Sequence, residues 1–316
     1  MSDSERFVSL AMEEPEQLEK PQIQMDWNNP KVVSNHRRRT LRNNIMVGLI
    51  LIPLFLALYP LADMFLMFVY KGLQLISVSA LVSNVVASGG ATSVGIGNAI
   101  TGTLVILGYA SLFAVPIGVF GGVYLGVFSH GGRLGNFIGF VADLLAGMPS
   151  IVLGFFGFLT LVVYFGWGYS ALAAGVTLSV LMLPFVLRAT ELSIRKVPSS
   201  YIEAAEALGS TRTQIINKLS LRVALPGIIT GILIATGYAI GETAPLLYTA
   251  SFSNYPPCPL CLHTPVAYLT GVIFSFYALP FANDKNLAYL AAFMLIVIVI
   301  CINIGAKFTL RRLARS

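Results

Sequence analysis

Glu203-Ala204-Ala205-Glu206-Ala207-Leu208-Gly209 stands in a polar, basic segment between two long apolar runs. Its glutamate, alanine and leucine residues favour helix, and Gly209 is a natural place for a helix to stop and turn. Arg188–Val197 lies behind it and Ser210–Arg222 ahead, so charge holds the stretch outside any bilayer on both sides. A short helix closed by a glycine turn and kept out of the membrane is a device for touching another protein. Seven residues alone fit an ordinary alanine-rich loop helix equally well, so the rest of the chain must decide.

Working outward, the chain is 56% apolar and only 11% charged over 316 residues. Soluble domains run at roughly 45–50% and 25%, so this composition belongs to an integral membrane protein. The net charge of +6 would suit a nucleic-acid binder, but the basic residues cluster at the ends of apolar runs instead. Six runs approach the ~20 apolar residues a helix needs to cross a ~30 Å hydrocarbon core. They are about Ile45–Val69, Ala99–Phe128, Gly135–Phe165, Tyr169–Leu187, Val223–Thr249 and Leu287–Lys307. Residues 77–98 are too polar in their middle for a span, and Pro265–Phe281, flanked by Pro265 and Pro280, reads as an interfacial or re-entrant helix.

Sidedness follows from the lysines and arginines. With the N-terminus inside, all of the 20 except Lys71 and Lys285 fall on the inner side. That asymmetry puts both termini and the Glu203–Gly209 stretch in the cytoplasm. The expected organisation is a polar extension over 1–42, a membrane domain over 43–310 with a cytoplasmic loop at about 191–222, and a short basic tail over 311–316. The extension carries seven of the 14 acidic residues and then the basic run His36–Arg42, and it lacks the order of a cleavable signal peptide. The aromatic turn Gly166-Trp167-Gly168-Tyr169 joins the third and fourth runs on the outer side.

With that loop on the ATP-containing side, the pattern Glu-Ala-Ala, three residues, Gly resembles the coupling motif of permease subunits in binding-protein-dependent ABC importers. The likeness extends over about 99–316. Ala146-Gly147-Met148-Pro149-Ser150-Ile151-Val152, Leu183–Glu191, Leu225-Pro226-Gly227 and Gly241-Glu242-Thr243-Ala244-Pro245-Leu246-Leu247 are similar to PstA-type permeases of high-affinity phosphate importers. Two departures stand out. Leu219 occupies a position where general importer permeases have isoleucine, and Leu225-Pro226 follows four residues late, a spacing like that of the phosphate branch. Tyr238 stands where the family often has an arginine, four residues before Glu242, which puts a phosphate-gripping arginine there in doubt.

The resemblance implies an all-α permease of about six transmembrane helices in a bacterial inner membrane, importing inorganic phosphate. It implies a homologous PstC-type partner, two copies of a PstB-type ATPase holding ATP and Mg, and an extracytoplasmic phosphate-binding protein. Glu203, Ala204, Ala205 and Gly209 would couple to the ATPase, and no cofactor would bind this chain. Glu242, Thr243, Arg188, Glu191 and Tyr238 would belong to the translocation path or its gate. Permeases for sulfate, molybdate or phosphonate remain alternatives, as does an ion-coupled secondary transporter.

The residues also speak for themselves. A carboxylate at bilayer depth costs about 2.5–3.5 kcal/mol on insertion scales, so Glu242 faces a partner or a wet cavity. Asp143 in the third run needs a partner for the same reason. Arg188 and Glu191, one helical turn apart, are either a surface pair or a hinge between the loop and the fifth run. Gly118, Gly122 and Gly126 recur every four residues, a spacing for close helix packing. Cys258-Pro259-Leu260-Cys261, in the outer loop, is a candidate disulfide; zinc would need more ligands than His263 alone. Neither a Gly-x4-Gly-Lys-Ser/Thr loop nor a His-Glu-x-x-His motif occurs, and no nucleophile–base set can be assembled, so no catalytic or metal site is expected.

Overall fold

The computed structural model describes residues 30–85, 95–129, 132–257 and 262–313, and among these every regular element is helical. Residues 1–64 and 65–316 form separate compact units. What is described of the first is the leading part of helix α1, Pro30–Leu75. This helix starts well before the apolar run, so His36–Arg42 and Ile45–Val69 lie on one continuous rod. Leu49, Ile50, Phe55, Leu56 and Leu61 are all exposed along it, a surface suited to lipid or another protein.

The second unit is built round α6, Ala171–Arg195, the most buried of the long helices. Before it in the chain come α2 (Val78–Val82), α3 (Gly97–Val123), α4 (Arg133–Gly147) and α5 (Ser150–Gly157), the last three packed on it. After α6 come α7 (Ser199–Ala207), α8 (Arg212–Gln214), α9 (Leu221–Ile240), α10 (Ala244–Thr249), α11 (Leu269–Tyr277) and α12 (Ala282–Leu313). Wider π turns extend α3 through Tyr124–Phe128, extend α5 through Phe158–Tyr164 and link α8 to α9 through Ile215–Ser220. Among the described residues five helices are long and apolar enough to cross a membrane, or six when the bent pair α4–α5 counts as one span.

The expected runs are recovered with physical corrections. The third is not one rod: α4 and the helix from Ser150 meet at 103°. Pro149 causes the break, because a residue before proline is driven out of the helical region, and Met148 sits at φ −75°, ψ 134°. The fifth run also breaks, at Gly241–Thr243, where Pro245 removes a helical N–H and its ring crowds the carbonyl four residues back. The fourth run extends to Arg195 and helix resumes at Ser199 and again at Arg212, so most of the expected loop at 191–222 is helical. Helix α11, at 9 residues, rises only about 14 Å and cannot cross a bilayer. Pro265–Phe281 is therefore not a span, and its helix packs on α12 and α3.

Several hydroxyls inside the bundle are satisfied by their own helices. Thr177, Thr190 and Thr236 donate to the carbonyls of Ala173, Val186 and Ile232 at 2.8, 2.8 and 2.7 Å. A hydroxyl left unpaired in apolar surroundings would cost more than the slight helix bending this back-bonding causes. The α3–α6 crossing explains the glycine repeat: Gly118, Gly122 and Gly126 face Val186, Thr190 and Ile194 on successive turns of α6. The repeat is thus used within the chain.

Substitution at this crossing is expected to be costly. A Cβ on Gly122 would lie 2.5 Å from the Thr190 Cβ and 2.6 Å from the Leu187 carbonyl oxygen, whereas one on Gly108 would meet nothing within 4 Å. Gly122→Val should destabilise the detergent-solubilised protein by about 1–3 kcal/mol and Gly108→Ala should be near neutral. Thermal unfolding of the two variants beside the parent measures the difference.

Candidate functional site

The Glu203–Gly209 element forms as its sequence requires. Helix α7 begins after Pro198 and ends in a Schellman turn, with Ser210 N–H on the Ala205 carbonyl (3.0 Å) and Gly209 N–H on that of Glu206 (2.9 Å). Gly209 has φ +76°, a conformation that strains any side chain with a Cβ. Beyond it, the Gln214 side chain accepts from the Thr211 N–H at 2.9 Å and starts the next helix. Beneath α7 is a cavity of about 320 Å³ whose floor includes Ile194, Val197, Ile202 and Ile215.

The other face of α7 is bare. Leu208 is 87% exposed and Tyr201 53%, and Glu203, Ala204 and Ala207 are also exposed. Tyr201, Ala204 and Leu208 recur at i, i+3 and i+7, the anchor spacing of a helix that lies in a groove. Ala205 is half-buried, on the side toward the bundle.

A second constellation lies in the C-terminal half of α6. Arg188 grips three acceptors: Nε donates to Asp143 Oδ1 at 3.0 Å, Nη1 to Glu191 Oε2 at 2.7 Å and Nη2 to the Gly139 carbonyl at 2.9 Å. Nη2 also stands 2.6 Å from Asp143 Oδ1. Glu191 is shared, its Oε1 pairing with Arg195 Nη2 at 2.8 Å. Two guanidinium groups and two carboxylates thus cancel in charge along the wall of a cavity of about 740 Å³, which Ser129 and Asn136 also line. Arg188 answers both open questions of the sequence: it is the partner Asp143 required, and its pair with Glu191 is part of a network linking α4 to α6. Arg195 is a member that sequence reading missed, although its i,i+4 spacing from Glu191 was a visible signal.

Glu242 and Thr243 sit elsewhere, on the unwound turn between α9 and α10. The Tyr238 side chain interacts electrostatically with that of Glu242, and its ring packs on Phe185 of α6 at 5.0 Å between centroids. Among the described residues Glu242 has no ion pair, so Arg188 and Glu242 are separate sites within this chain. Where the two broken spans meet, Gly154 lies so close to Pro245 that a Cβ would come within 2.5 Å of the proline Cα. Cys258 and Cys261 lie outside the described residues. Cys301 is a free thiol on α12.

Comparison with known proteins gives a consistent picture. Residues 114–315 match the family described as binding-protein-dependent transport system inner membrane component. The phosphate transport system permease protein PstA 2 of Mycobacterium bovis is 44% identical over 222 residues, 70% of this chain and 72% of that protein. The phosphate transport system permease protein PstA of Yersinia pestis is 32% identical over 290 residues, 90% of this chain and 97% of that one. In fold, the chain is similar to a chain of a bacterial alginate ABC transporter crystallised with an alginate-bound periplasmic protein. The TM-score is 0.57 at 14% identity, with 88% of this chain and 98% of that chain covered.

The charged network makes unequal demands on its members. Glu191 has a side chain only 9% exposed and serves two arginines, whereas that of Asp143 is 68% exposed. Glu191→Ala should cost about 3 kcal/mol by leaving charge uncompensated in a poorly solvated place. Asp143→Ala, at a well-hydrated carboxylate, should cost less than about 1 kcal/mol. Thermal denaturation in detergent separates the two, and equal losses would contradict the assigned hierarchy.

Proposed function

The chain belongs to the family of binding-protein-dependent transport system inner membrane components, and from that premise we propose that it is the PstA-type permease subunit of an ATP-driven importer of inorganic phosphate. The observation that carries the substrate is the kinship with permeases named for phosphate transport over most of the chain. The exposed helix α7 supports the coupling role. In this reading the chain sits in a bacterial inner membrane with both termini in the cytoplasm, as its charge asymmetry requires. Its partners are a homologous PstC-type permease, two PstB-type ATPase subunits that bind ATP and Mg, and an extracytoplasmic phosphate-binding protein.

The chemistry of the cargo sets the mechanism. Phosphate is an anion at neutral pH, and carrying it bare through hydrocarbon is prohibitive, so its path must be wet and polar. The binding protein delivers phosphate at the outer face, and the path runs between this chain and its homologous partner. ATP closes the ATPase dimer, which carries α7 with it through the anchors Tyr201, Ala204 and Leu208. Glu203 lies beside these anchors at the same surface. Because α7 follows α6 by a short link at Lys196–Pro198, displacement of α7 pulls on the end of α6 that bears Arg188, Glu191 and Arg195.

Arg188 then acts as a gate. In the observed arrangement its donors are taken by Asp143, Glu191 and the Gly139 carbonyl, which neutralises it and ties α4 to α6. Moving α6 against α4 stretches the bond to Asp143 first, because Glu191 travels on the same helix. The guanidinium so released is a cation facing the cavity at the moment an anion leaves. Glu242, with no ion pair among the described residues, accepts a hydrogen bond from a phosphate hydroxyl or pairs with an arginine of the partner permease. Tyr238, in the place of an arginine, contributes a neutral hydroxyl.

Labelled phosphate uptake by phosphate-starved cells, with and without the gene and in excess sulfate, tests the substrate. Loss of sulfate-insensitive, high-affinity uptake on deletion is expected. Unchanged phosphate uptake together with loss of sulfate, molybdate or phosphonate uptake would transfer the assignment to that oxyanion. Glu203→Arg and Gly209→Val should leave membrane insertion intact while reducing ATPase co-purification and uptake by about tenfold or more, the order expected when a hot-spot contact is lost. Unchanged co-purification and uptake in both variants would remove α7 from the coupling role.

A further inference from the structure

The turn that carries Glu242 is held in place from outside its own helix. At the end of α9 the chain tightens, with Gly241 N–H on the Tyr238 carbonyl and Glu242 N–H on that of Ala239, each at 3.2 Å. Pro245 then brings no N–H, so the peptide groups of the turn need donors from elsewhere. The carbonyl of Glu242 finds one in the hydroxyl of Thr270, 2.9 Å away on the first turn of α11, 28 residues further along the chain. Thr270 is 6% exposed, so water does not compete freely for that bond.

Helix α11 is itself fixed on a spanning helix at the same turn. Leu269 N–H donates to the Thr103 hydroxyl on α3 at 2.9 Å, and that hydroxyl donates in turn to the Ala99 carbonyl at 2.8 Å. The neighbouring Gly102 lets the backbone of Ala267 lie directly on α3; a Cβ there would collide with the Ala267 carbonyl. A helix too short to cross the membrane is therefore locked to α3 by Thr103 and to the unwound turn of the fifth span by Thr270. Non-helical backbone at membrane depth persists only where other groups satisfy it, and Thr270 does this for the residue whose side chain is the charged one.

We infer that Thr270 is a positioning residue for transport: by holding the carbonyl of Glu242 it keeps Gly241–Thr243 unwound and fixes where the Glu242 carboxylate points, with Thr103 fixing Thr270. The inference rests on the reading that Glu242 belongs to the phosphate path. It predicts that removing the hydroxyl misdirects Glu242 without disturbing the cytoplasmic coupling machinery. Phosphate moved per ATP should therefore fall, while ATP hydrolysis stimulated by the loaded binding protein persists.

The test uses the full complex of both permeases and the ATPase, reconstituted in proteoliposomes with the phosphate-binding protein, and measures labelled phosphate uptake and ATP hydrolysis together. Glu242→Gln is the reference. Thr270→Val, of the same shape without the hydroxyl, should lower the ratio of phosphate to ATP by roughly tenfold, the scale set by one buried carbonyl losing its donor. Thr270→Ser should restore it. A Thr270→Val ratio equal to that of the parent, while Glu242→Gln lowers it, would overturn the inference and leave the Glu242 reading standing. Parallel loss of uptake and hydrolysis, or of complex recovery, in Thr270→Val would make Thr270 merely structural and also overturn it. An unchanged ratio in Glu242→Gln would instead defeat the underlying assignment of Glu242 to the path.

Discussion

Arg188 cannot leave its acceptors singly. One carboxylate that holds it, Glu191, rides on its own helix, while Asp143 and the Gly139 carbonyl belong to α4. In the proposed gating, sliding α6 along α4 would break one set of bonds and keep the other, turning a graded push into a switch between two arrangements. Arg188 lies in the C-terminal half of α6, and α7 with its exposed face follows after a short turn, which is what the proposed coupling needs. Glu191 stabilises the hub by holding both arginines from a nearly buried site, and Asp143, well hydrated, is the member that can let go.

The membrane adds a second constraint, that peptide groups within it must be paired. Each of the two proline breaks, at Met148-Pro149 and before Pro245, creates backbone that a plain helix would not tolerate in lipid. Both are absorbed inside the bundle: Gly154 allows the half-helix after the first break to lie on Pro245 of the second, and Thr270 satisfies the turn between. The breaks interrupt the otherwise uniform apolar walls near the charge at Glu242. They are a means of bringing polar backbone to membrane depth without exposing it to hydrocarbon.

Much of this was legible in the sequence. The apolar runs and the Glu203–Gly209 helix with its glycine stop follow from local composition and helix propensity, and so does a helix-packing use for Gly118, Gly122 and Gly126. The 103° bend did not follow from apolarity, because Met148-Pro149 interrupts the hydrogen bonding and not the hydrophobic pattern. The partner of Asp143 was hidden because Arg188 is 45 residues away in the chain, whereas the Arg188–Glu191 pair showed in its spacing. Thr270 and Thr103 gave no signal, since a threonine in an apolar run usually bonds its own helix, and only the fold places one hydroxyl against another element's backbone.

The account stands or falls on whether ATP hydrolysis by a docked partner drives phosphate through this chain. The most direct measurement is labelled phosphate accumulation in proteoliposomes that contain this chain, its homologous permease partner and the ATPase, with the phosphate-binding protein on the outer face and no ion gradient. The account predicts accumulation that requires ATP, the binding protein and an intact Glu203–Gly209 helix together. Uptake that proceeds without ATP when a proton or sodium gradient is imposed would contradict it and place the chain among ion-coupled carriers.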